Sequence, residues 1–278
     1  MRKVFVVGPV SWNQLVYLDR LPEPRPHTIF ARHHVQALGG TSAGKSLNLA
    51  ALGAEVTLST VVGDDEQATW VRDRLTAAGI RLLAEQARGA TERHLNLMTM
   101  DGRRLPIYLD LSPASHRRPD EVEAALAGCE VAVIDLSEHS RPLLAEARAI
   151  GRPVWCDIHD YNGTDRFHHD FIEAADVLFL NDDGMADPLP FMRDRVTAGT
   201  KIVVLTQGAA GATAVTSSGQ VHVPCAPVEQ IVDTNGAGDA FFAGFLLTHL
   251  EGAPVDEALR AGHAQAARCL ASPDLAPG

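Results

Sequence analysis

The stretch VDTNGAGDAFFAGFLL, Val232 to Leu247, decides how the rest of the chain is read. It opens on a short polar turn with Gly236, Ala237 and Gly238. It then runs into a segment that is apolar on nearly every side of a helix, the pattern of a buried helix. Such a turn presents free backbone N–H groups at a helix N-terminus, and the helix dipole adds partial positive charge there, so an anion is favoured. Glycines let a phosphate approach the backbone closely. Asp239 stands at the same helix start, where the positive end is expected to keep its carboxylate ionised. That suits a base that accepts a proton near neutral pH. An anion hole beside a carboxylate is what phosphoryl transfer to a hydroxyl needs: charge stabilisation on one side, orientation of the nucleophile on the other. The plain alternative is a helix capped by Asp after a Gly turn. Two glycines and an acid opening a buried helix are harder to account for that way.

Upstream, strand and helix patterns alternate. Val4 to Val7 is a continuous apolar run ending at Gly8-Pro9, as in a strand buried on both faces. Ser46 to Leu52 reads as a helix stopped by Gly53, Glu55 to Val62 as a strand, and Gln67 to Ala78 as a helix stopped by Gly79. Val131 to Leu136, Pro153 to Asp157, Val177 to Leu180 and Lys201 to Thr206 are further strand candidates, with helical patterns between most of them. The alternation predicts a three-layer α/β/α fold, a mostly parallel sheet with helices on both faces. Two stretches break it. Pro22 to Leu38 is rich in Pro and His, and Thr91 to Leu109 reads as a β-hairpin around Asp101-Gly102. Together they are expected to form a small β-lid, from about residues 14–38 and 91–110 of a single domain spanning 1–278.

Composition narrows the function classes. The 278 residues are 46% hydrophobic, enough for a sizeable core, and the formal net charge is −11. That balance argues against a general nucleic-acid or anionic-membrane binder, since no excess of Lys and Arg can neutralise phosphates. The four cysteines are far apart and form no C-x-x-C, which argues against a disulfide framework or a zinc site. The apolar run near the start breaks at Gly8-Pro9, and the run Ala240 to Leu247 is well short of a membrane span. A cytoplasmic protein is expected. His159-Asp160, Asp165 and His168-His169-Asp170 match no standard zinc spacing and read as a solvated loop and helix start.

Asp233-Thr234-Asn235-Gly236-Ala237-Gly238-Asp239 resembles the D-T-x-G-A-G-D signature of the ribokinase-like (PfkB-type) carbohydrate kinases. The resemblance extends over nearly the whole chain. Gly39-Gly40 followed by Leu52-Gly53 resembles that family's N-terminal G-G…L-G segment. Val62-Gly63-Asp64-Asp65 is similar to its V-G-x-D turn, and Thr206-Gln207-Gly208 with Gly211 to its T-x-G-x-x-G strand end. The resemblance implies a ribokinase-like α/β/α domain with a β-lid, Asp239 as catalytic base, and the Gly236, Ala237 and Gly238 amides as the anion hole. It implies Mg-ATP as donor and a hydroxyl of a sugar-like or nucleoside molecule as acceptor. Asn13, Gly39, Gly40, Thr41, Gly44 and Asn48 then fall on the acceptor side, and Asn181, Thr206, Gly208, Gly211 and His263 on the nucleotide side. Asp183, or Asp182, could hold a metal-bound water. Asp233 and Asn235 match positions that form a monovalent-cation site in some relatives, which makes potassium a candidate activator. Met98, Ile107 and Tyr108 on the lid could pair with a second copy.

Several positions depart from the family pattern. Asn13 stands where the family usually has Asp, and Gly44 where it usually has Asn. The N-x-x-E segment appears as Asn181-Asp182-Asp183-Gly184, without its Glu, and His263 stands where Asn is common. Thr41, Gly44 and Asn48 share one helix face. Thr41 and Asn48 could therefore supply the polar groups missing at Gly44, or Gly44 could simply allow close packing. Trp12 and Tyr17 flank Asn13 and shape either the pocket or the core.

A rival motif overlaps this region. GGTSAGKS, Gly39 to Ser46, fits the phosphate-cradling pattern G-x-x-x-x-G-K-[ST] at every position. A P-loop follows a buried apolar strand, and Ala31 to Leu38 is a poor one. Val131 to Asp135 mimics the acidic strand of P-loop enzymes, but apolar strands ending in Asp are frequent in parallel α/β proteins. The kinase reading puts Lys45 off the inward face of its helix, at the pocket rim or in solvent. The expected activity is ATP-dependent transfer of the γ-phosphoryl group. A P-loop NTPase using Lys45 and a catalytically weak sugar or nucleoside sensor are the alternatives.

Overall fold

The structure, a computed structural model, describes residues 1–100, 103–115, 117–226, 228, 231–272 and 275–276. In chain order its strands are β1 (Lys3–Val7), β2 (Ser11–Leu18), β3 (His33–Gly39), β4 (Glu55–Val62), β5 (Arg81–Gln86), β6 (Arg93–Thr99) and β7 (Arg104–Asp110). They continue as β8 (Val131–Ile134), β9 (Val154–Asp157), β10 (Val177–Asn181), β11 (Ile202–Thr206), β12 (Ala212–Thr216) and β13 (Gly219–Val223). The helices are α1 (Thr41–Ala51), α2 (Glu66–Ala77), α3 (Glu121–Gly128), α4 (Arg141–Ala149), α5 (His169–Ala174), α6 (Leu189–Thr197), α7 (Ala237–Leu250) and α8 (Val255–Leu270).

Nine strands form the main sheet, in the order β13-β12-β11-β10-β9-β8-β1-β4-β5. The seven from β11 to β5 run parallel, and β12 and β13 return antiparallel at one edge. Strand residues alternate between two cores, because successive side chains point to opposite faces. Val4, Val6, Val133, Trp155, Phe179 and Val204 pack beneath α1, α2, α7 and α8. Phe5, Val7, Ala132, Ile134, Cys156 and Leu205 pack beneath α3 to α6. This is the three-layer arrangement expected from the alternation.

A second sheet has four strands in the order β3-β2-β6-β7. β2 pairs antiparallel with β3 and parallel with β6, and β6 pairs antiparallel with β7. Pro106 lies on β7, an edge strand, where a missing N–H is tolerated. The expected Asp101-Gly102 turn lies outside the described residues. Met98 is buried, so of the three residues expected on a pairing surface only Ile107 and Tyr108 are exposed.

α1 begins at Thr41, five residues before the start read from the sequence. Gly40 caps it with φ +90°, and a Cβ there would press on the Pro9 carbonyl oxygen at 2.6 Å. Only glycine turns the chain from β3 into a helix at that spot.

Candidate active site

Parallel strands deliver polar residues to one edge. Asp135 follows β8, Asp157 closes β9, Asn181 closes β10 and Thr206 closes β11. Ligands of open parallel sheets bind outside these C-terminal ends. Above the edge, α1 packs against α7, whose first turn carries Asp239.

The centre of this site is a lysine. Lys45 is fully buried, with Nζ 3.0 Å from Asp135 Oδ1, 3.1 Å from Asp239 Oδ1 and 3.3 Å from Asp157 Oδ2. It also lies 5.1 Å from the centroid of the Phe242 ring. This corrects the expectation that Lys45 reaches the rim or solvent. α1 is enclosed by the sheet edge and α7, so Ser42 through Ser46 are all buried, and a residue one position off the inward face still points into protein. The same geometry disposes of the P-loop. Lys45 is held by three carboxylates, and the strand before Gly39 belongs to the small sheet, with His33 to Gln36 exposed.

Each carboxylate has further partners. Asp135 Oδ2 accepts from Ser42 Oγ at 2.7 Å. Asp157 Oδ1 accepts from the His159 N–H at 3.0 Å, with the imidazole Nδ1 3.4 Å away. Burial alone would raise the Asp157 carboxyl, but the His159 ring, Lys45 and the His159 N–H outweigh it and hold it below its ordinary value. Asp239 goes the other way. Burial pushes its pKa up to about 6; Lys45 opposes this, while Asp135 and Asp157 add to it. The helix N-terminus therefore does not hold this carboxyl in its ordinary range, because desolvation beside two other acids is the larger effect, yet a value of about 6 still leaves it mostly ionised at neutral pH. For Lys45, burial favours the neutral form, but the three carboxylates more than offset it and keep the ammonium charged.

Gly44 adjoins the centre. A Cβ there would lie 2.9 Å from Asp239 Cγ and 3.0 Å from its Cβ, with Oδ2 nearer still. Of the two readings weighed for Gly44, close packing is the one the geometry supports. Asn48 does not face an acceptor. It is fully buried, its Nδ2 donates to the Gly44 and Leu275 carbonyls at 2.9 and 2.8 Å, and its Oδ1 accepts from Gln265 Nε2 at 2.8 Å. Its amide is used in tying α1 to α8. Thr41 is half-buried at the helix start.

On β2, Asn13 is buried beside Gly39, whose Cβ would sit 2.7 Å from Asn13 Cγ. Among the described residues, neither Asn13 Oδ1 nor Ser11 Oγ has a hydrogen-bond partner. Unpaired buried polar atoms are costly unless a ligand or water completes them. Tyr17, on the same strand, donates to Asp233 Oδ2 at 2.9 Å, and Asp233 Oδ1 accepts from the Asn235 N–H at 2.9 Å. Trp12 packs on Trp70 of α2 with centroids 5.2 Å apart.

Gly236 takes φ +80° and ψ 0°, a left-handed conformation directly before α7. The Ala240 N–H bonds the Gly236 carbonyl at 2.9 Å, so the Ala237, Gly238 and Asp239 amides precede the first intrahelical bond. At the ends of β10 and β11, Asn181 Oδ1 accepts from the Asp183 N–H at 3.0 Å, and Thr206 Oγ1 donates to the Leu180 carbonyl at 3.4 Å. Gly208 and Gly211 turn the chain after β11. Asp182 and Asp183 are exposed. A Cβ on Gly184 would lie 2.5 Å from the Asp160 carbonyl carbon, so this backbone leaves no room for a glutamate. His263 is turned into packing, its Nε2 3.1 Å from the Val223 carbonyl and its ring edge-on to Phe241.

Sequence reasoning missed Asp135, Asp157, His159 and Lys45 as parts of one site. A signal existed: two apolar strands each ending in Asp, and one lysine in the otherwise uncharged run from Thr41 to Leu52.

The description "pfkB family carbohydrate kinase" matches residues 1–276. The chain is 29% identical over 269 residues to acarbose 7(IV)-phosphotransferase of Actinoplanes sp., covering 93% of this chain and 89% of that protein. It is 30% identical over 270 residues to the ATP-dependent ribose-1-phosphate kinase of Halopiger xanaduensis, covering 95% and 90%. It superposes on a microbiome-derived acarbose kinase with a TM-score of 0.87 at 28% identity, over 98% of this chain and 93% of that one. The Arabidopsis thaliana ribokinase complexed with ribose and ATP shares the fold, with a TM-score of 0.81 at 20% identity over 99% and 95%. With the signature turn, the three-layer fold and the family match all lying on one chain, this protein belongs to the pfkB family of carbohydrate kinases and is an ATP-dependent phosphotransferase with an alcohol acceptor.

Proposed function

We propose that the enzyme transfers the γ-phosphoryl group of ATP to a hydroxyl of a small sugar-like or nucleoside acceptor, with Asp239 as base. The observation that carries this reading is the Asp239 carboxylate in the first turn of α7, immediately after the left-handed turn at Gly236. The acceptor hydroxyl gives its proton to Asp239 while its oxygen bonds to the γ-phosphorus. The bond from that phosphorus to the β-γ bridging oxygen breaks, and its electron pair leaves with ADP. The amides of Ala237 and Gly238, which precede the first intrahelical bond, face the charge that develops. Asn13 Oδ1 and Ser11 Oγ are free to bond acceptor hydroxyls, with Gly39, Gly40 and Thr41 beside them. Asn181, Thr206, Gly208 and Gly211 are assigned to the nucleotide side because they lie at the same sheet edge.

Magnesium accompanies ATP in this family. Asp182 and Asp183, exposed carboxylates after β10, are hard oxygen donors that suit a hydrated Mg²⁺. When bound, the ion would neutralise phosphate charge. Potassium at Asp233 and Asn235 is part of the same reading and is checked by activity in potassium against sodium chloride. The four-stranded sheet is proposed as a lid, and exposed Val35, Leu105, Ile107 and Tyr108 as its surface for a second copy.

The deciding experiment is an acceptor panel with Mg-ATP, read as ADP release. It includes simple sugars, nucleosides, ribose 1-phosphate and acarbose, the last two because relatives are named for them. An acceptor phosphorylated by the parent and not by Asp239→Asn supports the reading. Acceptor binding without ADP release across the panel would favour the sensor instead.

A further inference from the structure

Lys45 and Gly44 are neighbours on α1, and both face Asp239. We propose that Lys45 is a positioning residue for the base: it holds Asp239 Oδ1 and so leaves Oδ2, on the Gly44 side, to take the acceptor's proton. The inference rests on the reading of Asp239 as the base and assigns a role to a lysine that the transfer step does not itself use.

The geometry supports it from several sides. Lys45 Nζ is 3.1 Å from Asp239 Oδ1 and is anchored from below by Asp135 and Asp157 at 3.0 and 3.3 Å. Asp135 is fixed in turn by the Ser42 hydroxyl. Lys45 therefore has little freedom to leave Asp239, and Asp239 cannot rotate without losing its only cation within ion-pair distance among the described residues. A side chain at position 44 would push the carboxylate off Nζ, since even a Cβ would crowd its Cγ and Cβ. The missing side chain at 44 and the cation at 45 are two halves of one arrangement.

Electrostatics gives the arrangement a purpose. The charged and titratable groups that face Asp239 are Lys45 from α1, Asp135 at the end of β8, Asp157 on β9, His159 just after it and the Cys269 thiol from α8. Two of these are acids with Asp239 largely removed from water. Such a carboxylate takes up a proton unless a cation answers it. Lys45 is that cation, and it stays protonated through the cycle, so the transferred proton goes to Asp239 alone.

The test is the pH dependence of kcat/KM between about pH 5 and 9, with any acceptor found in the panel, for the parent, Lys45→Met, Lys45→Met/Asp135→Asn and Asp239→Asn. In Lys45→Met the acid limb is expected to move up by at least roughly one pH unit, since a desolvated acid has lost its counter-ion. Turnover at pH 7 should fall about 10–100-fold and recover only in part as the pH rises, to a plateau still about tenfold low, while KM for ATP stays within about threefold. The double variant removes the lysine together with one of its partners, which guards against misfolding from unpaired charge. Its acid limb should return toward the parent's, but its alkaline plateau should stay about tenfold low because Oδ1 is no longer held. An unmoved acid limb in folded Lys45→Met, or parent turnover in the folded double variant, overturns the proposal. A pH-independent loss that tracks a lowered melting temperature also overturns it. Undiminished turnover in Asp239→Asn sinks the assignment of the base instead, whatever Lys45 does.

Discussion

Asp239 has two opposing demands placed on it. As the proposed base it must be ionised to take a proton, yet it sits beside Asp135 and Asp157 with little water around it, and its pKa is pushed up to about 6. Protonation below that value removes the base, so kcat/KM should fall as the pH drops through about 6 and level off above it. Asp239→Asn keeps the shape of the helix start but cannot accept the proton. Turnover should drop by about 10²–10⁴-fold with ATP affinity nearly unchanged, measured by steady-state kinetics and calorimetric titration. Asn13 is the corresponding case on the proposed acceptor side. Its buried Oδ1 lacks a partner among the described residues, and a carboxylate in its place would accept more strongly from vicinal hydroxyls. Asn13→Asp should shift the acceptor profile toward simple sugars. An unaltered profile would mean that residue 13 does not face the acceptor.

Elements are joined by residues that a motif search credits with other work. Asp65 ends the V-G-x-D turn, and its Oδ1 caps α2 by accepting from the Ala68 N–H at 2.9 Å. It also accepts from the Thr91 N–H and hydroxyl at 2.8 and 2.6 Å, just before β6. Burial alone would raise this carboxyl, but the bonds from Thr91 and Ala68 and the charge of Arg93 hold it below its ordinary value. Its stabilising effect is therefore full above the ordinary carboxylate range and is lost as the pH falls through the depressed value. Asp65→Ala should cost about 2 kcal/mol, from a lost cap and lost hydrogen bonds, read from urea unfolding at neutral pH. The deficit against the parent should shrink in acid. α7 and α8 show the same economy in packing. A Cβ on Gly244 would meet the Ala261 carbonyl oxygen at 2.6 Å, and one on Gly262 would meet the Phe241 ring at 2.9 Å. The small residues let a largely apolar helix lie directly against its neighbour.

At the scale of the molecule, contacts from Tyr17 and Trp12 on β2 tie the small sheet to the main body. Tyr17 donates to Asp233 in the signature segment, and Trp12 packs on Trp70 of α2. β2, the strand proposed to face the acceptor, is thus linked through Tyr17 to the segment that leads into the Gly236 turn. Tyr17→Phe removes that bond and keeps the ring. Stability should fall by only about 1 kcal/mol. The acceptor KM should rise severalfold while KM for ATP changes little, which paired kinetics and thermal melts would show. Equal changes in both KM values would mean that Tyr17 holds the turn rather than the lid.

The periodicity of apolar residues was sufficient for the layers. Runs such as Val4 to Val7 and Val177 to Leu180 can be satisfied only inside a covered parallel sheet, and Phe241 to Leu247 only as a buried helix. The turn that carries the proposed base was legible too, because the Gly236 to Asp239 spacing is local: a turn, a helix start and an acid within one stretch. What sequence could not show is which distant residues meet. Asp135, Asp157 and Asp239 come from three separate elements, and only the parallel stacking of β8 and β9 under α7 brings their carboxylates to one ammonium. Helix periodicity placed Lys45 outward because it counts only one inward face. The packing of α1 between the sheet edge and α7 closed the other sides and left that lysine as fully buried as Asp135.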